Sequence, residues 1–221
     1  MAFAVCISCF FILACSSDNN EENDIVGLKS TLTSKDIAYV NNQLMKFVTP
    51  KSRAYSTINT ELSDAPLKLD ISESQAKEVC TPYLNDGKVL QSQMIKEMKI
   101  DGASLEDIQY ITSLSEEKLV LLSFVVSNLQ NYEQSIATSV SKKQVLDCLW
   151  YAIGIGANFG SYINGTKSLA NLGEMISWRF ALQLCRTMAL RYIGFIGAAV
   201  CIYDFIGSML IRVGNGSSYL H

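Results

Sequence analysis

The chain has 221 residues, of which 49% are hydrophobic and 18% charged, and a net charge of −3 at pH 7. This length suits one domain, or two small ones, with a real core. No basic cluster with interleaved aromatics occurs, which excludes the usual nucleic-acid-binding surface.

The N-terminal element is a largely apolar stretch from Ala2 to Ala14 that ends in Ile12-Leu13-Ala14-Cys15. A helix needs roughly 20 residues to span a hydrocarbon core, so this stretch is too short for one and fits the hydrophobic region of a signal peptide. An acidic, polar run follows at once, Ser16-Ser17-Asp18-Asn19-Asn20-Glu21-Glu22. The small Ala14 suits cleavage, and the Cys15 thiol is a natural acyl acceptor. These residues resemble the lipobox of bacterial lipoproteins processed by signal peptidase II. The acidic run is similar to the surface-export signal of Bacteroidota-type lipoproteins. Lys and Arg, which usually open such leaders, are absent from Met1 to Ala14. The other reading of the stretch is an ordinary apolar N-terminal strand or anchor. The resemblance implies a leader over 1–14, lipidation of Cys15 with acyl chains such as palmitate, and a polar tether over 15–33. It also implies a place in the cell envelope, at the outer membrane and exposed at the surface.

Beyond the tether, Ser/Thr-x-x-Asp/Glu/Gln patterns mark helix starts, since the hydroxyl accepts from the third backbone N–H and the longer side chain returns the bond. They are Thr33…Asp36, Ser72…Gln75, Ser104…Asp107, Ser113…Glu116 and Ser141…Gln144. Apolar stripes at helical spacing follow: Ile37, Val40, Leu44 and Phe47; Leu105, Ile108 and Ile111; Leu119, Leu122, Val125, Val126 and Leu129. The pattern predicts helices near 34–48, 72–80, 83–99, 104–113, 115–134, 141–163, 168–192 and 195–211, with Pro82 dividing the second from the third. Tyr55 to Leu69 has room for a short strand. The expected fold is an all-α helical bundle, with an amphipathic region over 34–147 and an apolar, glycine-rich helical hairpin within 148–221.

That last region differs in character. Ten of the thirteen glycines lie beyond Cys148. Lys167, Arg179, Arg186, Arg191 and Arg212 face only Glu174 and Asp204 there, a balance of +3 against −6 for the rest of the chain. Glycine inside a helix costs about 1 kcal/mol relative to alanine, and close backbone approach between helices is the expected compensation. Tyr192 to Ile211 approaches a membrane-spanning length, but a carboxylate at Asp204 would cost about 2.5–3.5 kcal/mol in mid-bilayer. A soluble core is the better expectation, with Asp204 paired to an arginine: Arg191, Arg186 or Arg179. Cys80, Cys148, Cys185 and Cys201 remain after the leader. In one straight helix Cys185 and Cys201 would stand about 24 Å apart. If the chain reverses near Ile193-Gly194 they lie level, which leaves open a disulfide between them.

The only histidine is His221, which removes Ser-His-Asp and Cys-His nucleophile arrangements and His-rich metal sites. No C-x-x-C pair occurs among the body cysteines. Gly154-Ile155-Gly156 and Gly160 follow a predicted helix rather than a strand, the wrong context for a dinucleotide-binding loop. The paired carboxylates Glu106-Asp107 and Glu116-Glu117 fall in first helical turns, where the macrodipole favours them. No catalytic residue, cofactor or metal is expected. The expected role is non-enzymatic binding or scaffolding, with the membrane held through the lipid and a protein or glycan as partner. The rival is a membrane-active toxin or bacteriocin-like protein whose C-terminal hairpin enters a bilayer.

Overall fold

The computed structural model describes residues 27–49, 68–131, 142–155, 176–188 and 194–216. Among them are seven helices: α1 (Ser34–Met45), α2 (Glu73–Ile100), α3 (Leu105–Thr112), α4 (Glu116–Gln130), α5 (Lys142–Ala152), α6 (Trp178–Thr187) and α7 (Gly194–Gly216). Two-residue strands β1 (Val48–Thr49) and β2 (Lys68–Leu69) pair antiparallel, with Val48 opposite Leu69. The protein is an all-α bundle, and β2 lies within the one stretch where the sequence left room for a strand.

Hydroxyl caps start the helices as the patterns predict. Thr33 with Asp36, and Ser72 with Gln75, form complete capping boxes on α1 and α2, and Ser104 caps α3. Asp36 is held below the ordinary carboxylate range, chiefly by its bond from the Thr33 hydroxyl. The fourth start is corrected. Ser115, not Ser113, caps α4, because the Ser113 N–H still closes the last turn of α3 on Gln109 O at 3.0 Å. The fifth, at Ser141, lies outside the described residues.

The two helices expected around Pro82 are one. Pro82 removes one N–H from the ladder, and Thr81 Oγ1 donates to Lys77 O at 2.9 Å in the same turn. An interior proline costs about 3 kcal/mol, but Val79, Cys80, Tyr83 and Leu84 are buried on either side of it. At about 1.5–3 kcal/mol for each large side chain, their burial prevails and the helix continues. In α4 every residue from Leu119 to Leu129 is buried, not only the predicted stripe. The cause is that α2, α6 and α7 all pack on it. Edge-to-face contacts join the three longest helices, Tyr83 to Phe124 at 5.7 Å and Phe124 to Phe205 at 5.3 Å.

Two of the C-terminal helix spans need correction. The segment expected over 141–163 ends at Ala152, where Gly154 turns left-handed (φ 74°) and Ile155 N donates to Trp150 O at 2.9 Å. Of the helix expected over 168–192, the described residues show Trp178–Thr187, capped by Ser177, with Ile176 bridged to Leu28 instead of helical; 168–175 and 189–192 lie outside the described residues. Of these C-terminal helices, α6 packs on α2 and α4, while α7 packs on α1, α2, α4 and α5. Both sequence regions therefore share one core.

Among the described residues, close backbone approach occurs at Gly87 in α2. A Cβ on Gly87 would lie 2.3 Å from Leu119 O, whereas one on Gly207 would meet nothing within 4 Å. The contact of α2 with α4 depends on the isolated glycine. Gly87→Ala is therefore expected to lower stability by about 1–3 kcal/mol through forced separation of the helices. Gly207→Ala is expected to raise it by up to about 1 kcal/mol. Urea unfolding of both variants checks the pair, and a neutral Gly87→Ala would contradict the close approach.

Candidate functional site

The densest convergence of polar groups surrounds one carboxylate. Asp86, on α2, is 2% exposed, although its helix buries an otherwise apolar side. Thr31 donates to Oδ1 from both its backbone N–H (2.6 Å) and its hydroxyl (2.7 Å). Oδ2 accepts from Ser30 Oγ at 2.9 Å and from Ser123 Oγ, on α4, at 2.7 Å. An ionised carboxylate offers about four acceptor positions, and four donors fill them. Unpaired, such a group would cost several kcal/mol to bury; here hydroxyls and one amide satisfy it.

The donors belong to an extended segment, Leu28–Leu32, lying against α2 and α4. Gln93 receives Lys29 N on Oε1 (2.9 Å) and donates from Nε2 to Lys29 O (3.1 Å). Gln130 does the same across a wider gap, accepting from Ser30 N at 2.8 Å and donating to Leu28 O at 2.7 Å. Asn131 donates to Leu32 O at 3.1 Å, and Leu28 N donates to Ile176 O at 2.8 Å. Every N–H from Leu28 to Thr33 has an acceptor, once Leu32 N on Ser30 Oγ and Thr33 N on Asp36 are included. Two glutamines thus stand in for a neighbouring strand. The polar tether expected over 15–33 accordingly ends in a fastened strap, its Leu28 side chain fully buried.

Beside the latch, Tyr83, Ser127 and Asn128 extend the buried polar face. Ser127 Oγ and Asn128 Nδ2 both donate to Phe124 O, and desolvation raises the Tyr83 phenol well above its ordinary range. A second long-range carboxylate contact starts α7. Glu73 accepts from Phe195 N and, at 3.1 Å, from Ile196 N. Gly194 adopts φ +84° there, and a Cβ on it would lie 2.5 Å from Glu73 Oε1. The left-handed φ is what calls for glycine there, since the Glu73 carboxylate could shift.

Outside the core, aromatic rings gather the charges. Arg186 pairs with Asp107, while Arg186 and Lys118 both lie over the Tyr110 ring, whose hydroxyl donates to Cys185 O at 2.8 Å. Arg179 lies over Trp178 and 3.7 Å from Asp101, which also accepts from Trp178 Nε1 at 2.8 Å. Glu116 is held below its usual range, first by the Lys77 hydrogen bond. The carboxylates at Asp107 and Glu116 thus answer surface cations.

The residues singled out from sequence fare unequally. Cys15 and Arg191 lie outside the described residues. Asp204 is on α7 and half-buried, but two of the arginines considered for it belong elsewhere, Arg179 with Asp101 and Arg186 with Asp107. Cys185 and Cys201 are buried and not bridged. Sequence reasoning missed Asp86 and Glu73. The signal for Asp86 was available, a lone acid between Tyr83 and Leu90 on the apolar side of α2. Among the described residues no His/Cys/Asp/Glu group could hold a metal ion. No protein-family model, curated protein or solved structure matches the chain.

Asp86→Ala should cost roughly 2–4 kcal/mol by stranding its donors and should speed amide exchange at Thr31; protected exchange there would refute the latch. A second expectation concerns pH. Burial pushes the Cys80 and Cys185 thiols from 9.0 up to about 12. A folded-state value above the unfolded one means that the thiols' contribution is intact below pH 9 and is lost as pH rises towards 12. The urea midpoint should fall over that interval, less so in a Cys80→Ala, Cys185→Ala variant.

Proposed function

We propose that this protein is lipid-tethered in the bacterial envelope, at the outer membrane and facing outward, and works by binding or scaffolding rather than catalysis. Acyl chains on Cys15 hold it to the membrane, and its partner is a protein or a glycan. Each buried methylene adds about 0.8 kcal/mol, so two or three chains anchor firmly without a spanning helix.

The observation that carries this reading is the strap. A tether transmits pull into whatever it is joined to, and here the chain beyond it is gripped within a few residues by two central helices through Asp86, Gln93 and Gln130. Such a grip would carry a pull on the anchor directly into the core. The same geometry favours a structural over a catalytic Asp86, since its acceptor positions are taken by the chain itself. α7 presents its apolar residues to α1, α2, α4 and α5, and among the described residues no helix is long and apolar enough to cross a membrane. That packing favours binding over the toxin reading of the C-terminal region.

Mass spectrometry of the mature N-terminus should find an acylated Cys15. Cys15→Ala should move the protein from the envelope fraction into the soluble one without changing its melt. An unmodified thiol or an uncut leader would end this reading, and leakage of liposomes by the unlipidated form would give the activity to membrane insertion instead. Pull-down from intact cells combined with surface proteolysis should recover the partner and report the exposed face.

A further inference from the structure

We propose that the corner joining α2 to α3 is the face turned to the bilayer, with Ile100 and Leu105 seated in the lipid surface. The inference rests on the tethered reading and adds the orientation. Ile100 and Leu105 are 68% and 70% exposed, the two most exposed large apolar side chains among the described residues. Leu105 departs from its predicted stripe: its neighbours Ile108 and Ile111 turn inward, while it faces solvent across the tight turn at Asp101–Ser104 from Ile100. A single exposed aliphatic residue is ordinary; here two flank one turn, at the end of the bundle where the strap points.

The strap identifies that occupant. It meets Asp86 through Thr31 and Gln93 through Lys29, so going back towards the N-terminus it advances along α2 towards Ile100. Leu28 is bonded to Ile176, two residues before Trp178, whose indole reaches Asp101 beside Ile100. The chain leading back to Cys15 therefore leaves at the α2–α3 end of the bundle. A relaxed chain of that length spans roughly 20 Å, and α2 is about 42 Å long. The lipid can sit beside this corner and cannot, unstretched, bring the opposite end to the surface. That opposite end carries Met45, close to Phe47, whose carbonyl accepts from Asp70 N just before α2.

Charge does not select another partner. Lys96, Lys99 and Arg179 are balanced at the corner by Glu97, Asp101 and Glu106. Two aliphatic side chains bind a membrane weakly alone, and tethering raises their effective concentration there. Docking then sets orientation more than affinity.

The test places an environment-sensitive fluorophore on Leu105→Cys or Met45→Cys in the full chain, processed and lipidated in cells and reconstituted in phosphatidylethanolamine–phosphatidylglycerol vesicles. Nitroxide-bearing lipid should quench the probe at 105 several-fold more than the probe at 45. Ile100→Ser should reduce that difference while the melt is unchanged. Equal quenching, or stronger quenching at 45, overturns the proposal. So does concentration-dependent self-quenching at 105 without lipid quenching, which assigns the corner to a second copy. If Cys15 carries no natural lipid, the same comparison on protein coupled there to a maleimide phospholipid reads the corner by the same criteria, keeping its failure distinct from that of the tether.

Discussion

A buried carboxylate lies within this bundle, and much of the architecture follows from keeping it satisfied. Asp86 is tolerable only while Ser30, Thr31 and Ser123 all donate to it. Those residues come from the strap and from α4, so the carboxylate requires three distant stretches of chain to be together at once. A buried polar network is costly when partly satisfied and specifying when complete. The next residue, Gly87, tightens the demand, since its missing side chain lets the α2 backbone approach Leu119. Register and distance between α2 and α4 are thus set within one turn, by a charge on one residue and an absence on the next.

The remaining charged contacts have a lesser part. Lys77–Glu116 and Arg186–Asp107 join helices at the surface, where water and salt screen them. They align α4 with α2 and α6 with α3, but burial of the apolar side chains does the stabilising. Glu73 is the exception in purpose. By accepting from the first amides of α7 it gives that long helix a fixed starting point on α2, and α7 then completes the core.

Function and fold meet at the strap. A polar stretch beside a lipid anchor would serve as a tether without binding the body anywhere. Here its last residues are held as a strand would be, with side-chain amides supplying the partner. That makes the attachment directional. The chain enters the bundle at a defined end, so in the proposed tethered protein that one junction would orient the rest of the molecule relative to the membrane.

The sequence by itself determined the helical class, the cap residues Thr33, Ser72 and Ser104, and the buried stripes of α1 and α4. Those features depend on neighbours within a turn or two, and one-dimensional spacing records them. Tertiary structure decided the rest: that α2 runs through Pro82, that Leu105 faces solvent, that Cys185 and Cys201 stay apart, and that residues 28–32 are strap rather than tether. Each is an outcome of competition between distant groups. Proline's local cost loses to burial on both sides of it, and Ser30 and Thr31 bond to an acid more than fifty positions away. Spacing along a chain cannot express which far-off partner a residue will meet, and the latch consists of such partners.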